Sequence, residues 1–103
     1  MATSTDRDAA RLKALGHPVR LGIAIRLASE PETCACDFAE VFGVSQPTVS
    51  EHLRVLREAG LVTTKRRGTQ ICYSLDPGSV RALEQRLSAL GRPRRPRVTA
   101  AST

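Results

Sequence analysis

Residues 43–60 have the sequence Gly43-Val-Ser-Gln-Pro-Thr-Val-Ser-Glu-His-Leu-Arg-Val-Leu-Arg-Glu-Ala-Gly60, and this segment carries the strongest signals of the fold. Ser45 is a typical helix N-cap, and Pro47 falls in the first helical turn. Apolar residues then recur at i, i+4 and i+7, which gives the helix one buried face: they are Val49, Leu53 and Leu56. Gly43 ends the preceding helix, and Gly60 ends this one. A helix, a short glycine turn and a second amphipathic helix predict a helix-turn-helix.

The first helix of that motif is short. After the breaker Glu30-Pro31-Glu32, Thr33 is a candidate N-cap for a helix that ends at Phe42. Two further helices are predicted upstream, one over residues 5–15 and one over residues 18–29. The second of these also alternates as a strand would, but its first-turn proline and its length of about 12 residues favour a helix.

The periodicity changes to two beyond Gly60, which predicts two strands, residues 61–66 and 70–75, with Gly68 in the turn between them. The second strand has two faces, with Ile71, Tyr73 and Leu75 on one and Gln70, Cys72 and Ser74 on the other. A basic hairpin directly after a helix-turn-helix is a wing.

A last helix follows the breaker Asp76-Pro77-Gly78, with Ser79 as its predicted cap. Its apolar residues follow the narrow spacing of a coiled-coil seam and predict packing on a partner helix: they are Val80, Leu83, Leu87 and Leu90. The predicted fold is therefore mainly α with a small β-hairpin, a winged helix-turn-helix of about five helices and a two-stranded wing, over residues 1–91. Residues 92–103 are Pro-rich and like-charged, which predicts a basic disordered tail.

The composition narrows the classes of function. The chain has 103 residues, of which 41% are apolar and 25% charged, as in one globular domain. A domain this small buries a modest core, which favours a homodimer. The net charge is +6, and the one dense basic run before the tail is Lys65-Arg66-Arg67, so a polyanionic partner is indicated. One tyrosine, two phenylalanines and no tryptophan argue against a stacking platform for single-stranded nucleic acid.

Several classes of protein are not expected. The opening Met-Ala-Thr-Ser-Thr-Asp has no basic or apolar region of a signal peptide, and no apolar run is long enough to span a bilayer, so we expect a soluble, cytoplasmic protein without a membrane partner. Three cysteines, an odd number without a secretory signal, do not suggest a disulfide framework. No nucleophile is paired with a base and no glycine loop suits phosphate, so we expect no enzyme activity.

Two of the cysteines, Cys34 and Cys36, lie one residue apart at the start of the predicted helix-turn-helix. Thiolate sulfur selects soft ions over magnesium or calcium, and a helix N-terminus favours the thiolate. Because residues i and i+2 do not share a helical face, the helix must begin late or unwind locally for both to bind one atom. Binding would then distort the first helix of the motif and misplace the second. The alternative is that both cysteines are small apolar filler residues.

Over residues 8–90 the chain resembles the ArsR/SmtB family of winged-helix repressors. The matching segments are Leu12-Lys-Ala-Leu-Gly-His-Pro-Val-Arg-Leu21, Cys34-Ala-Cys-Asp-Phe38, Ser45-Gln-Pro-Thr-Val-Ser-Glu-His-Leu-Arg-Val-Leu-Arg-Glu-Ala-Gly-Leu61 and the wing ending in Tyr73-Ser-Leu75. The resemblance implies a homodimer that pairs through its first and last helices and needs no obligatory cofactor. It also implies that the metal-free dimer binds double-stranded operator DNA and releases it when a toxic metal or metalloid binds.

The second helix of a helix-turn-helix points its N-terminal end at the bases of the major groove. The predicted DNA contacts are Ser45, Gln46, Pro47, Thr48, Ser50, Glu51 and Arg54 around this helix, and Lys65, Arg66 and Arg67 in the wing. Gln46 suits adenine, Thr48 suits a thymine methyl group, and the wing cations suit phosphate or the minor groove. The alternative for each residue is an ordinary solvated side chain. His52, on the apolar side of the helix, is expected to pack rather than to bind a ligand.

The resemblance also bears on the effector. Arsenic- and cadmium-responsive members carry a Cys-x-Cys that matches Cys34 and Cys36. The arsenic form commonly adds a cysteine three residues on, where this chain has Ala39, and the cadmium and lead form adds cysteines from an N-terminal arm, which residues 1–11 lack. The zinc site of the last helix needs histidine and acidic ligands, and residues 79–91 contain no histidine and one acidic residue.

What remains favours trivalent arsenic or antimony, bound by two cysteines and a third donor, with Cd(II) or Pb(II) as the alternative. Cys72 is one candidate donor, although a wing residue is expected to lie far from the pair, and its alternative is a small side chain on the polar face of its strand. Water, a small cellular thiol or a residue of the second subunit are the others, and Asp37 is predicted to be a carboxylate of the first helical turn. Two further alternatives are a repressor of the same fold that senses thiol oxidation through Cys34 and Cys36, and a non-regulatory metal-handling protein.

Overall fold

A computed structural model describes residues 2–30 and 32–92 of the chain. This part forms five helices and three strands, in the order α1 (Ser4–Leu15), α2 (Pro18–Ser29), β1 (Thr33–Cys34), α3 (Ala35–Phe42), α4 (Gln46–Glu58), β2 (Val62–Arg67), β3 (Gln70–Leu75) and α5 (Pro77–Gly91). The mainly α winged helix-turn-helix that the sequence predicts is therefore confirmed. The predicted basic tail lies outside the described residues, apart from Arg92.

Local capping explains where two of the helices begin. Thr3 caps α1, because its hydroxyl accepts a hydrogen bond from the Asp6 backbone N–H at 3.0 Å and the Asp6 carboxylate accepts one in return from the Thr3 N–H. Asp76 caps α5 in the same way, accepting from the Gly78 N–H at 3.0 Å. The prediction of Ser79 as the cap is wrong, since a carboxylate before a proline at the first helical position begins the helix one turn earlier.

The sheet contains one strand that the sequence did not predict. The predicted hairpin is present as β2 and β3, and β1 pairs antiparallel with the other edge of β3, which gives the strand order β1-β3-β2. Thr33, the predicted N-cap of α3, lies in β1 instead. The N-cap is Cys34, with an extended backbone (φ −86°, ψ 155°), and it makes no side-chain cap hydrogen bond.

The core lies where the helix-turn-helix packs against α1, α2 and the start of the hairpin. Its buried members are Ala14, Ile23, Leu27, Phe38, Val49, Leu53, Leu56, Leu61 and Val62. The Phe42 ring of α3 packs against α2 at Gly22, where α2 has no side chain. A Cβ added to Gly22 would lie 2.7 Å from Cε1 of Phe42, which is closer than carbon atoms pack. Phe38 and Phe42 therefore seat α3, and with it Cys34, against the rest of the domain.

The last helix is joined to the first by a buried carboxylate. Asp8 is 7% exposed, and its Oδ2 accepts from Nε of Arg86 at 2.6 Å while its Oδ1 accepts from Arg11 at 3.2 Å. Of the predicted seam on α5 only Leu83 is buried; the other three apolar residues and one of α1 are exposed in the single chain: Val80, Leu87, Leu90 and Leu12. No helix in the described part of the chain is long and apolar enough to cross a membrane.

Candidate thiol site and DNA-reading surface

The prediction that Cys72 lies far from the cysteine pair is wrong. The register of β1 and β3 places Cys34 directly opposite Cys72, with their Cα atoms 4.2 Å apart. The structure joins the two sulfur atoms as a disulfide, so the expectation of no disulfide is wrong for these two residues. The cause is β1, which brings together positions that are 38 residues apart in the chain. Cys72 is also not a side chain of an open polar face, since it is only 5% exposed.

Cys36 is an exposed free thiol in the first turn of α3. Its Sγ lies 3.9 Å from Oδ1 of Asp37, which is the first-turn carboxylate that the sequence predicts. Cys34 and Cys36 both line a cleft of about 340 Å³. The opposite walls of this cleft belong to the N-terminal part of α4 and to the hairpin: Gln46, Ser50, Thr69, Gln70, Ile71 and Tyr73. The thiols therefore share a cleft with the two elements that are predicted to contact DNA.

The donor set suits a soft ion that is bound by thiolates, though the site is not assembled. Because α3 begins at Ala35, Cys34 lies outside the helix and escapes the i, i+2 geometry that would separate it from Cys36. Within residues 2–30 and 32–92 no three side chains of His, Cys, Asp or Glu are already arranged to hold a metal ion. Reduction of the Cys34–Cys72 bond and movement of Cys36 would supply three thiolates, a set that selects soft, thiophilic ions.

An ion pair connects the segment before the thiol site to the wing. Nε and Nη2 of Arg67 donate to the two carboxylate oxygens of Glu32, at 2.9 and 3.1 Å. This bidentate contact, together with the positive charges of Arg67 and Lys65, lowers the pKa of Glu32 below its usual value. Arg67 is also a predicted DNA contact, and in the free chain its guanidinium is already bound to Glu32.

The predicted DNA-reading residues of the helix lie on its outer surface. Gln46, Pro47, Thr48, Ser50 and Glu51 are all exposed. The predicted N-cap of α4 is confirmed, since the Ser45 hydroxyl accepts from the Thr48 N–H at 3.3 Å, and it also donates to the Thr48 hydroxyl at 2.8 Å. The N-terminal end of α4 is thus well formed, and its polar side chains face outward as a major-groove helix requires.

Arg54 is engaged along its own helix. Its Nε donates to Oε1 of Glu51 at 3.1 Å, and its Nη1 donates to Oε2 of Glu58 at 2.8 Å. The Arg54 guanidinium lowers the pKa of Glu51. Like Arg67, Arg54 is a predicted DNA contact whose guanidinium is bound to carboxylates in the free chain. The spacings of three and four residues between Arg54 and its partners are typical of helical ion pairs and can be recognised in the sequence. No such local signal identifies Glu32 as the partner of Arg67.

His52 lies on the inner side of α4, as predicted, and faces α2. Its ring centroid is 4.5 Å from that of His17, and its Nδ1 is 3.2 Å from Nη1 of Arg20. Nδ1 of His17 accepts from the Val19 N–H at 3.1 Å and caps α2. Burial, and then the positive charges of His17 and Arg20, lower the pKa of His52, so the neutral ring is the form that fits this contact.

Comparison with known proteins agrees with this geometry. A family model described as "Bacterial regulatory protein, arsR family" matches residues 17–64, which include Cys34, Cys36 and the whole helix-turn-helix. The arsenical resistance operon repressor of Bacillus subtilis (strain 168) is 38% identical over 73 residues, which are 71% of this chain and 70% of that protein. The cadmium resistance transcriptional regulatory protein CadC homolog of Staphylococcus aureus is 36% identical over 87 residues, 84% of this chain and 72% of that protein.

A solved structure has the same fold. It is described as a "possible transcriptional regulator for arsenical resistance", and it is similar to this chain with a TM-score of 0.73 at 32% identity, over 81% of this chain and 85% of that one. The match includes the order of helices and the hairpin after the helix-turn-helix. Sequence, fold and relatives agree, and the chain belongs to the ArsR family of bacterial regulatory proteins.

Proposed function

We propose that this chain is a transcriptional repressor that binds operator DNA as a homodimer and releases it when trivalent arsenic or antimony binds Cys34, Cys36 and Cys72. The observation that carries the proposal is the register of β1 and β3, which sets Cys34 against Cys72 while Cys36 lies two residues further along the same cleft. Relatives that are named for arsenical resistance support the choice of effector.

The proposed binding step is a ligand exchange without redox change at arsenic. In the reduced protein, each of the three thiols replaces one hydroxide of arsenous acid, forming an As–S bond and releasing one water, so arsenic stays trivalent. Thiolates are the donors that such soft centres prefer. The Cys34–Cys72 disulfide has to be reduced beforehand, which a cytosolic thiol pool does.

The position of Cys36 supports a route from effector to DNA. Its side chain lies on the surface of the first turn of α3, whereas Cys34 lies in the strand before it. Drawing the Cys36 sulfur toward the other two thiols unwinds that turn. The turn faces Gln46 and Ser50 across the cleft, so its movement displaces the N-terminal end of α4, the helix proposed to read the DNA bases and called the reading helix below. Couplings of this kind typically change affinity by about 5- to 150-fold.

Arsenite titration of a protein–DNA complex tests the proposal. A duplex selected by the reduced protein from a random pool is labelled, and the complex is followed by fluorescence anisotropy. We expect a palindromic duplex, bound more weakly as salt rises, and release by arsenite and antimonite. Failure of both metalloids to release the duplex, with release by cadmium or lead instead, would replace the proposed effector. A reduced chain that binds metal but selects no duplex would point to a metal-handling protein.

Serine variants separate the three thiols. Cys36→Ser should bind the duplex as the parent does and lose release by arsenite. Cys72→Ser should lose arsenite release too, but it should keep release by phenylarsine oxide, whose arsenic carries a phenyl group and needs only two thiolates. Arsenite release that survives in Cys72→Ser would exclude Cys72 as the third donor.

A thiol-oxidation sensor is the second candidate, because the structure joins two of the thiols. The two thiols that are oxidised are then Cys34 and Cys72, rather than Cys34 and Cys36 as the sequence suggested. In that reaction two thiols give up two protons and two electrons to form the S–S bond, and a hydroperoxide is reduced to water and an alcohol. Cys36→Ser distinguishes the candidates, since it should abolish the arsenite response and leave a peroxide response intact.

The proposed homodimer is supported by the exposed apolar residues of α1 and α5. Leu87 is 46% exposed in the single chain and belongs to the same apolar seam of α5 as the buried Leu83. Leu87→Lys should give a folded monomer in analytical ultracentrifugation, because no core contact is lost. Ile25→Lys is the matched control, since Ile25 is 63% exposed on α2 and should tolerate the charge in a dimer. A Leu87→Lys variant that stays dimeric would exclude pairing through α5.

A further inference from the structure

One face of the three-stranded sheet packs on the hydrophobic core. Val62 and Leu75 lie opposite each other and pack with the core. The half-buried Tyr73 also packs there, and it is paired with Thr33, which is buried. Side chains alternate along a strand, so Cys72 belongs to the other face. Its neighbours across the two ladders, Cys34 and Lys65, share that face.

Glu32 and Arg67 continue the same face. Arg67 follows Lys65 by two residues on β2, and Glu32 precedes Cys34 by two residues, just before β1. Their ion pair therefore reaches across the sheet, from the edge of β1 to the edge of β2, over the row in which Cys34, Cys72 and Lys65 lie. Cys72, which lies in that row, is 5% exposed.

Arg67 cannot offer the same edge of its guanidinium to Glu32 and to DNA at once. Nε and Nη2 form the edge that makes two parallel hydrogen bonds to a carboxylate or to a phosphate, and Glu32 occupies that edge. Arg67 is also about half exposed, at 54%, so a phosphate can reach it when the carboxylate leaves. The Glu32 carboxylate and a DNA phosphate would therefore compete for Nε and Nη2 of Arg67.

We infer that Glu32 is a built-in competitor of the operator phosphate for Arg67, so that this ion pair sets the strength of the wing's contact with DNA. The inference rests on the proposed DNA binding. It assigns to Glu32, a residue outside the helix-turn-helix and the wing, an effect on the affinity for DNA. Glu32 acts through Arg67 and is a positioning residue. Because Glu32 lies two residues before Cys34, the competitor is attached to the strand that carries the thiol site.

The expected effect of removing the competitor follows from the strength of exposed ion pairs. Such pairs shift an equilibrium by about 1.4- to 5-fold, which becomes about two- to thirty-fold for a dimer that breaks two of them on binding. Glu32→Gln should therefore tighten binding of the selected duplex by an amount in this range. Glu40→Gln, which removes one negative charge from an exposed position of α3, is the matched control. At about 0.15 M salt its distant effect is largely screened.

A double-mutant cycle tests the inference, with duplex affinity measured by fluorescence anisotropy on the full, reduced chain. In an Arg67→Gln background the Glu32→Gln change should gain no more than Glu40→Gln does, since the contested guanidinium is gone. An equal gain from Glu32→Gln with and without Arg67 would overturn the competitor role while leaving the proposed repressor function intact. A parent chain that binds no selected duplex would overturn both.

Discussion

Replacing Gly22 by alanine tests how α3 is seated against α2. Alanine in a helix interior ordinarily stabilises by about 1 kcal/mol relative to glycine. Here the new methyl group would lie 2.7 Å from Cε1 and 3.0 Å from Cζ of Phe42, and overpacking of this kind costs about 1–3 kcal/mol. Gly22→Ala should therefore lower the free energy of unfolding by about 0–2 kcal/mol instead of raising it.

Two further variants make that prediction refutable. Gly91→Ala also adds a methyl group to a helix but meets open space, so it should cause no loss. Phe42→Leu removes the opposing ring, and adding Gly22→Ala to it should recover the ordinary gain of about 1 kcal/mol. Urea unfolding followed by far-ultraviolet circular dichroism suits a chain without tryptophan, at one fixed protein concentration. A Gly22→Ala variant of the parent that is about 1 kcal/mol more stable would refute the close contact.

Three other changes have defined outcomes. Ser45→Ala removes the cap of the reading helix and should cost about 1 kcal/mol in the same urea assay; a loss near zero would contradict its capping role. Phe38→Ala should cost about 3–5 kcal/mol because the ring is fully buried, while Val41→Ala, at an exposed position of the same helix, should cost less than about 1 kcal/mol. Because the pKa of His52 is lowered in the folded state, the unfolded chain binds the His52 proton more readily. The contribution of the neutral ring to the free energy of unfolding is therefore fully present above about pH 6.5, and it is lost as the pH falls toward the lower pKa of the folded state. Thermal melts from pH 8 to 5 should show this loss, and His52→Gln should reduce it.

The helices could be predicted because their signals are local. The bounds of α2 agree with the prediction, residues 18–29, because a proline at the first position and a run of one apolar face lie within the helix itself. Ser45 and the apolar row of α4 identified the reading helix for the same reason. The two wrong caps have different causes. Asp76 and Ser79 both suit a cap, and Asp76 takes the position. Thr33 pairs with Tyr73 in β1, so the cap position of α3 falls to Cys34.

The thiol site was only partly predictable. The spacing of Cys34 and Cys36 pointed to a soft-ion site at the start of the first helix of the motif, and both residues do line the cleft beside the reading helix. Cys72 was named as a candidate donor, but its position opposite Cys34 was not predicted, because a two-residue strand has no periodicity of its own. The contact of Glu32 with Arg67 was missed for a related reason, since the two residues are 35 positions apart.

The class of the protein could be recognised from local sequence signals: a winged helix-turn-helix with a pair of cysteines at the start of its helix-turn-helix. Caps, turn glycines and apolar spacing act over a few residues, so they can be recognised without knowing the rest of the chain. Which groups meet across the sheet could be read only from the folded domain. Strand register, set by how β1 docks on β3, places Cys72 against Cys34 and brings a carboxylate to a wing arginine. Register depends on the packing of the whole domain, because hydrogen bonds between strands join residues that are distant in sequence.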